Sequence, residues 1–221
     1  MSEVDLREAQ LFQIDFSNTN LRSARLDRAR LASANLLNAT LDNSSLFAAD
    51  LSRATLTDAR LTEANLRTAT LSGAAMIMAD LSRADLVHTT LRETDLSGAQ
   101  LSGANLANTN LNRALLVRSN LHQASLASSS LTETLFRQTI INQTDFTGAH
   151  LYESIFLDVD LSTSIGLDTC KHQGPSSVDH RTLEQSGTLP LQFLRGVGLP
   201  DSLIEYLPSL LNRAIQHYSH R

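Results

Sequence analysis

Ala79-Asp80-Leu81-Ser82-Arg83-Ala84-Asp85-Leu86 states, in eight residues, the rule that the chain obeys. A large apolar residue recurs every five positions, and a small one stands two residues before it. Followed outward in both directions, the frame holds from Leu6 to Leu161 without a slip, through 32 consecutive positions occupied only by Leu, Phe, Met or Ile. The partner positions are 18 Ala, 7 Thr, 4 Ser and 2 Val, with Ile14 the single larger residue. A fixed period of this length is an internal repeat and takes precedence over any other signal.

Five matches neither the helix period nor the strand period. The two marked positions resolve this, because their spacing alternates two, three, two, three. A step of two keeps side chains on one face of an extended segment. A step of three must turn a corner to bring the next side chain back inside. Each pentapeptide is therefore one short side and one corner, and the chain winds into a coil with a closed interior. The large residue fills the axis and the small one lets the wall come close.

Ala79-Asp80-Leu81-Ser82-Arg83, Ala84-Asp85-Leu86 and Ala104-Asn105-Leu106 resemble the A(D/N)LxX motif of the pentapeptide-repeat family. The resemblance covers about three quarters of the chain. It implies an all-β solenoid, a right-handed quadrilateral β-helix with twenty residues per coil, hence about eight coils, followed by a small C-terminal α-helical segment. At about 4.8 Å per coil the rod is roughly 38 Å long. Its stability is expected to be nearly a sum of nearest-neighbour terms.

The rest of the composition agrees with a narrow tube. Among 221 residues aromatics are 5%, Trp is absent and there is one Cys, Cys170. A lone cysteine excludes a disulfide framework and suits a reducing compartment. No run of eighteen apolar residues and no signal-peptide pattern is visible, so a cytoplasmic location is expected. The net charge of −5 lies in residues 1–165, with 18 Asp and Glu against 13 Arg; residues 166–221 balance at five and five.

The boundaries are a repeat domain over 1–165, a turn-rich connector over 166–180 and a helical cap or connector over 181–221. Nothing obvious caps the first coil, so a cover outside the chain, a partner or stacking is expected at that end. Residues 21–110 present Asp, Asn, Ser, Thr and Arg outward, which reads as a solvated wall. From 111 to 165 the small positions turn to Ser119, Ser129, Thr134, Thr139 and Thr144, and the centres to Phe136, Ile141, Phe146 and Phe156. At twenty residues per coil, Leu115, Val117, Leu135, Ile155 and Leu157 fall together as an apolar strip on one wall. Such a patch marks either a protein interface or a seat for the C-terminal segment.

The frame ends at Gly166. Asp179 is placed to cap a short helix containing Leu183. Pro190 opens another that Gly196 stops; Pro200-Asp201-Ser202 opens a third through Leu207, and Pro208 a last one to about His217. Leu203, Leu207, Leu210, Leu211, Ile215 and Tyr218 form a helix-period stripe, a candidate cap or partner helix. Phe193 to Leu207 is similar to the connector that precedes a Toll/interleukin-1-receptor (TIR) domain in some bacterial pentapeptide-repeat proteins. That resemblance implies a rod belonging to a larger signalling or defence protein, whose TIR domain would begin near Arg221.

No constellation for catalysis emerges. His88, His122 and His150 fall on different sides of the coil, so they do not converge on a triad. Cys170 and His172 are two potential ligands on a loop, too few for a zinc site. Gly98 and Gly103 read as corners, without a phosphate-loop pattern. A tube filled with Leu and Ala offers no internal pocket. A non-enzyme with no cofactor and no metal is expected. No membrane association is expected, and no nucleic-acid binding, because Arg is not gathered on one face.

The expected function is a non-catalytic protein–protein interaction scaffold, acting on a protein partner or by self-association through the apolar wall. The alternative implied by the resemblance is DNA mimicry at a type II topoisomerase such as gyrase. Duplex DNA carries one negative charge per about 1.7 Å, roughly 22 over this length, against 18 acids offset by 13 Arg.

Overall fold

The computed structural model describes residues 4–218, with side chains described from Val4 to Leu211. From Asp5↔Arg25 to Asp145↔Ile165, residues at five-residue spacing bridge in parallel to the residue twenty positions on. Four such ladders run along the rod, one per side, so a coil takes twenty residues.

The local chemistry explains why the walls are bridges rather than long strands. Leu26 N–H donates to Ser45 O at 2.7 Å and Arg28 N–H to Phe47 O at 2.8 Å, while Ser45 N–H donates back to Ala24 O at 2.9 Å. Within the coil, Ala29 N–H closes a four-residue turn on Leu26 O at 3.0 Å. The turn starts at the inward residue itself, leaving one residue per side free to pair. Its third residue is left-handed, as Arg28 at φ 56°; from Glu8 to Asp158 the non-glycine residues at these corners lie between 50° and 62°. That conformation is disfavoured for L-residues. Here, from Glu8 to Gln138, it aims each corner N–H at a carbonyl of the next coil.

The interior is buried and mostly apolar. From Leu21 to Leu161 the large centres are at most 6% exposed. At several of the small positions a Thr or Ser hydroxyl is satisfied by the neighbouring coil: Thr89 donates to Leu66 O (2.8 Å), Thr94 to Leu71 O (2.9 Å), Thr134 to Leu111 O (2.8 Å), Thr144 to Leu121 O (2.7 Å) and Ser154 to Leu131 O (2.8 Å). Ser119 and Ser129 bond Leu116 O and Leu126 O in their own turns, and Ser44 Oγ has no partner among the described residues. In the rear half Thr134, Thr139, Thr144 and Ser154 therefore add coil-to-coil hydrogen bonds, and the hydroxyls of Ser119 and Ser129 are paired locally.

Three-residue strands occur on one wall alone among the described residues. They are β1 (Leu115–Val117), β2 (Leu135–Arg137) and β4 (Ile155–Leu157), in register Leu115↔Leu135↔Ile155. β3 (His150–Leu151) lies on the adjacent wall. The wall's bulky, β-prone side chains favour extended backbone over the tight turn. Inside, the rings of Phe136 and Phe156 stack at 4.9 Å and 5°, with Phe146 edge-on to both.

Residues 166–179 follow the rod for most of another turn. At Gly166 (φ +73°) a Cβ would stand 2.4–2.7 Å from Thr147, so only glycine fits where the frame breaks. A 3-10 turn at Leu167–Thr169 then buries Leu167. β5 (Lys171–His172) pairs with β3, and β6 (Ser177–Val178) with β4. Three helices end the chain: α1 (His180–Ser186), capped by Asp179, whose side chain accepts from Thr182 N–H; α2 (Leu191–Gly196); and α3 (Asp201–Tyr218). The two helices expected on either side of Pro208 are one. α3 runs on through Pro208, which has no N–H to donate to the carbonyl four residues back. Among the described residues no helix is long and apolar enough to cross a membrane.

Candidate interaction wall and C-terminal cap

The strip predicted from the twenty-residue register is gathered on the β1–β2–β4 wall. Leu115 is 40% exposed, and Val117, Leu135, Ile155 and Leu157 are half-buried. Arg137, between Val117 and Leu157 in register, interrupts the second column with an exposed cation. Farther along the same wall Ile77 is 37% exposed and Met78 58% exposed, its sulfur lying over Gly98. The helices do not roof this strip. They sit on the end of the rod, where α1 touches β4.

The cap works by replacing a missing coil. Backbone N–H groups along the last wall need acceptors, and side chains on one face of α1 supply them. Asp179 accepts from Asp158 N–H (3.1 Å), Thr182 Oγ1 from Val159 N–H (3.1 Å) and Ser186 Oγ from Leu161 N–H (2.9 Å). Gln185 reaches Asp158 at 2.7 Å, and Arg181 lies 3.6 Å from it. Burial pushes the Asp179 carboxyl up, but its bonds from Thr182 and Asp158 outweigh that and hold it below its ordinary value. An open edge of this kind is what solenoids must close.

Above β5, α2 drops Phe193, fully buried, onto the end of the tube, edge-on to Phe156 and to His172. α1, α2 and α3 enclose an apolar groove of about 440 Å³ lined by Leu183, Leu189, Leu194, Ile204, Leu207 and Leu211. Of the stripe drawn on α3, Leu207 and Leu211 are half-buried, whereas Leu203 (37% exposed) and Leu210 (49% exposed) open to solvent. Ile215 and Tyr218 have side chains outside the described residues, as does Arg221.

The polar residues considered for chemistry do not assemble. His88, His122 and His150 fall on three different sides of the coil, as their register requires, and of the three only His150 bridges to a neighbouring coil. Cys170 is buried, and its thiol is pushed up to about 12 by burial and by the charges of Asp168 and Asp145. Among the described residues no cluster of His, Cys, Asp and Glu is arranged to hold a metal ion. Arginine falls on every wall: Arg67, Arg113, Arg137 and Arg83 each represent a different one. Several are paired, Arg67 with Asp85 (3.2 Å), Arg83 with Glu63 (2.8 Å) and Arg113 with Glu133 (3.0 Å). No wall is an uninterrupted acidic surface.

A twenty-residue coil with a Leu axis and Ala spacers defines a class, the pentapeptide-repeat solenoids. The family profile described as pentapeptide repeats matches residues 1–36, 9–47, 49–86, 94–132 and 129–165, and the chain belongs to that family. No curated protein matches the chain. Among solved structures it is similar to HetL from the cyanobacterium Nostoc sp. strain PCC 7120, a pentapeptide-repeat protein involved in regulation of heterocyst differentiation. That likeness has 27% identity over 86% of each chain and a TM-score of 0.55. It is also similar to full-length QnrB1, a plasmid-mediated fluoroquinolone resistance protein, at 20% identity over 85% of this chain and 94% of that one, with a TM-score of 0.58. These neighbours imply the right-handed quadrilateral β-helix.

Proposed function

We propose that the protein is a non-catalytic interaction scaffold, and that the wall built on Leu115, Val117, Leu135, Ile155 and Leu157 is where it docks a protein partner or a second copy. One observation carries this reading: the strip stays open although three helices pack nearby, with Leu115 still 40% exposed. An unbroken apolar column such as Leu115–Leu135–Ile155 on a polar rod is the usual mark of an interface. The rod contributes stiffness and sets the distance and direction at which the wall is presented. The finer placement, in the repeat portion of a bacterial signalling or defence protein in the cytoplasm, rests on the similarity of Phe193–Leu207 to TIR-domain connectors.

Light scattering behind size exclusion tests the self-association arm, with Leu135→Asp and Leu157→Asp as variants. Loss of association, or of partner binding, with the fold retained supports the wall. A strict monomer whose variants keep both fold and partner binding contradicts it. The alternative, a DNA mimic at gyrase, has the shared rod in its favour and the arginines on every wall against it. A supercoiling assay decides: inhibition would favour mimicry, and no effect at about tens of micromolar, a generous ceiling for weak binding, removes it.

A further inference from the structure

His172 is the ninth member of a column whose other eight members, from Leu11 through Leu151, are all leucine. It pairs with Leu151 and points an imidazole into the position where the tube expects an aliphatic side chain. Both ring nitrogens are buried and neither has a hydrogen-bond partner among the described residues. The ring lies 5.8 Å from that of Phe193, at 67°. It also lies so close under Gly196 that a Cβ there would come within 2.2–2.4 Å of its Cδ2, Cγ and Nε2 atoms. α2 therefore rests directly on an imidazole that has nothing to share a proton with.

We propose that His172 is an acid-sensitive latch for the C-terminal cap: protonation of its ring expels α2 and Phe193 from the end of the rod and uncovers Phe156 and the last coil. The charged and titratable groups on the elements around it do not stabilise the cation. They are Lys171 on β5, His150 on β3 and Tyr152 just beyond it, Asp168 and Cys170 at the 3-10 turn, Arg195 on α2 and Asp201 on α3. None of them hydrogen-bonds the ring. Asp201, an acid of the cap, is held by Arg195 in a two-pronged ion pair at 2.7 and 3.0 Å, and Gln173, not His172, takes the contact with His150. A charged imidazole without a counter-charge or acceptor is costly in such a site, whereas a neutral one packs on Phe193. Burial accordingly sets its pKa below the ordinary 6.5.

The sign follows from linkage. The closed cap binds the proton less well than the open one, so closure is fully favoured above pH 6.5. It is lost as pH falls through the depressed value, by up to about tenfold in the closed-to-open ratio per pH unit between the two. Hydrogen exchange on the full chain at pH 7.5 and 5.0, corrected for intrinsic rates, is the test. The expected result is loss of protection in 191–196 at acid pH while the coils between Leu21 and Leu111 keep theirs, with protection independent of pH in His172→Leu, which continues the leucine column. Unchanged protection in the wild type, or equal acid loosening in His172→Leu, would overturn the proposal. If that variant misfolds, an NMR titration of His172 in the wild type decides: an inflection below 6.5 supports the latch and one at or above 6.5 overturns it.

Discussion

Phe156 and Phe193 meet edge to face with ring centroids 6.1 Å apart and planes at 71°. The first ring belongs to the last regular coil and the second to α2, so this pair joins the rod to its cap. Phe193→Ala is expected to cost about 3–5 kcal/mol of cap stability, the range for truncating a buried phenylalanine. Because coils interact mainly with their neighbours, the loss should stay local. Exchange protection should fall in 180–211 and remain in residues 21–110; uniform loss along the rod would contradict the nearest-neighbour account.

Thr182 hydrogen-bonds both ways across that seam, accepting from Val159 N–H at 3.1 Å and donating to Phe156 O at 3.4 Å. Thr182→Val keeps the shape and deletes both bonds, leaving a buried donor unpaired at a cost of about 1–3 kcal/mol. Thr182→Ser should retain most of the stability. Urea melts of the two variants separate this role from simple packing, which predicts the reverse order.

Asp42 is the buried carboxylate of the front half, 2% exposed, with Arg22 at 2.7 Å and Arg60 at 3.1 Å on one oxygen and Thr62 N–H at 3.2 Å on the other. Burial pushes its pKa up, but Arg22, Arg60 and Thr62 together prevail and hold it below 3.8. A lowered native pKa gives stability that is present above the ordinary value and lost as pH falls through the native one. Thermal melts from pH 5 to 2 should therefore show a steeper acid decline in the wild type than in Asp42→Asn, which should already be weakened at pH 7 by about 1–3 kcal/mol. Parallel acid profiles would remove Asp42 from the account.

The Cys170 thiol, buried against the carbonyl of Phe146 and pushed up to about 12, carries almost no thiolate at pH 8. Ellman's reagent should label the native protein slowly and the urea-unfolded chain at once. Rapid labelling of the native chain would mean that the last coil is open.

How much of this was legible beforehand follows the period of the chain. The five-residue frame set the coil, its four sides and the positions of Leu115, Leu135 and Ile155, because register in a repeat is arithmetic once the coil length is known. The cap was not legible in that way. Asp179, Thr182 and Ser186 offer side-chain oxygens to backbone N–H groups of the last coil, and their spacing of three and four is a signal that means nothing until the open edge opposite them is seen. His172 escaped for a related reason. The frame slips by one at Gly166, so the leucine column could not be extended to it by counting fives. Pro208 lies inside α3 and not at a helix boundary, although proline in a sequence is ordinarily the signal for one.

The central claim is that the rear wall, and not the rod in general, makes contact. A photo-crosslinking amino acid at Leu135, compared in cells with the same residue at Thr55 on the front part of that ladder, tests it most directly. The account predicts discrete protein adducts, either a partner or a second copy, from position 135 and none from position 55. Adducts of equal yield from both positions, or from neither, would contradict it.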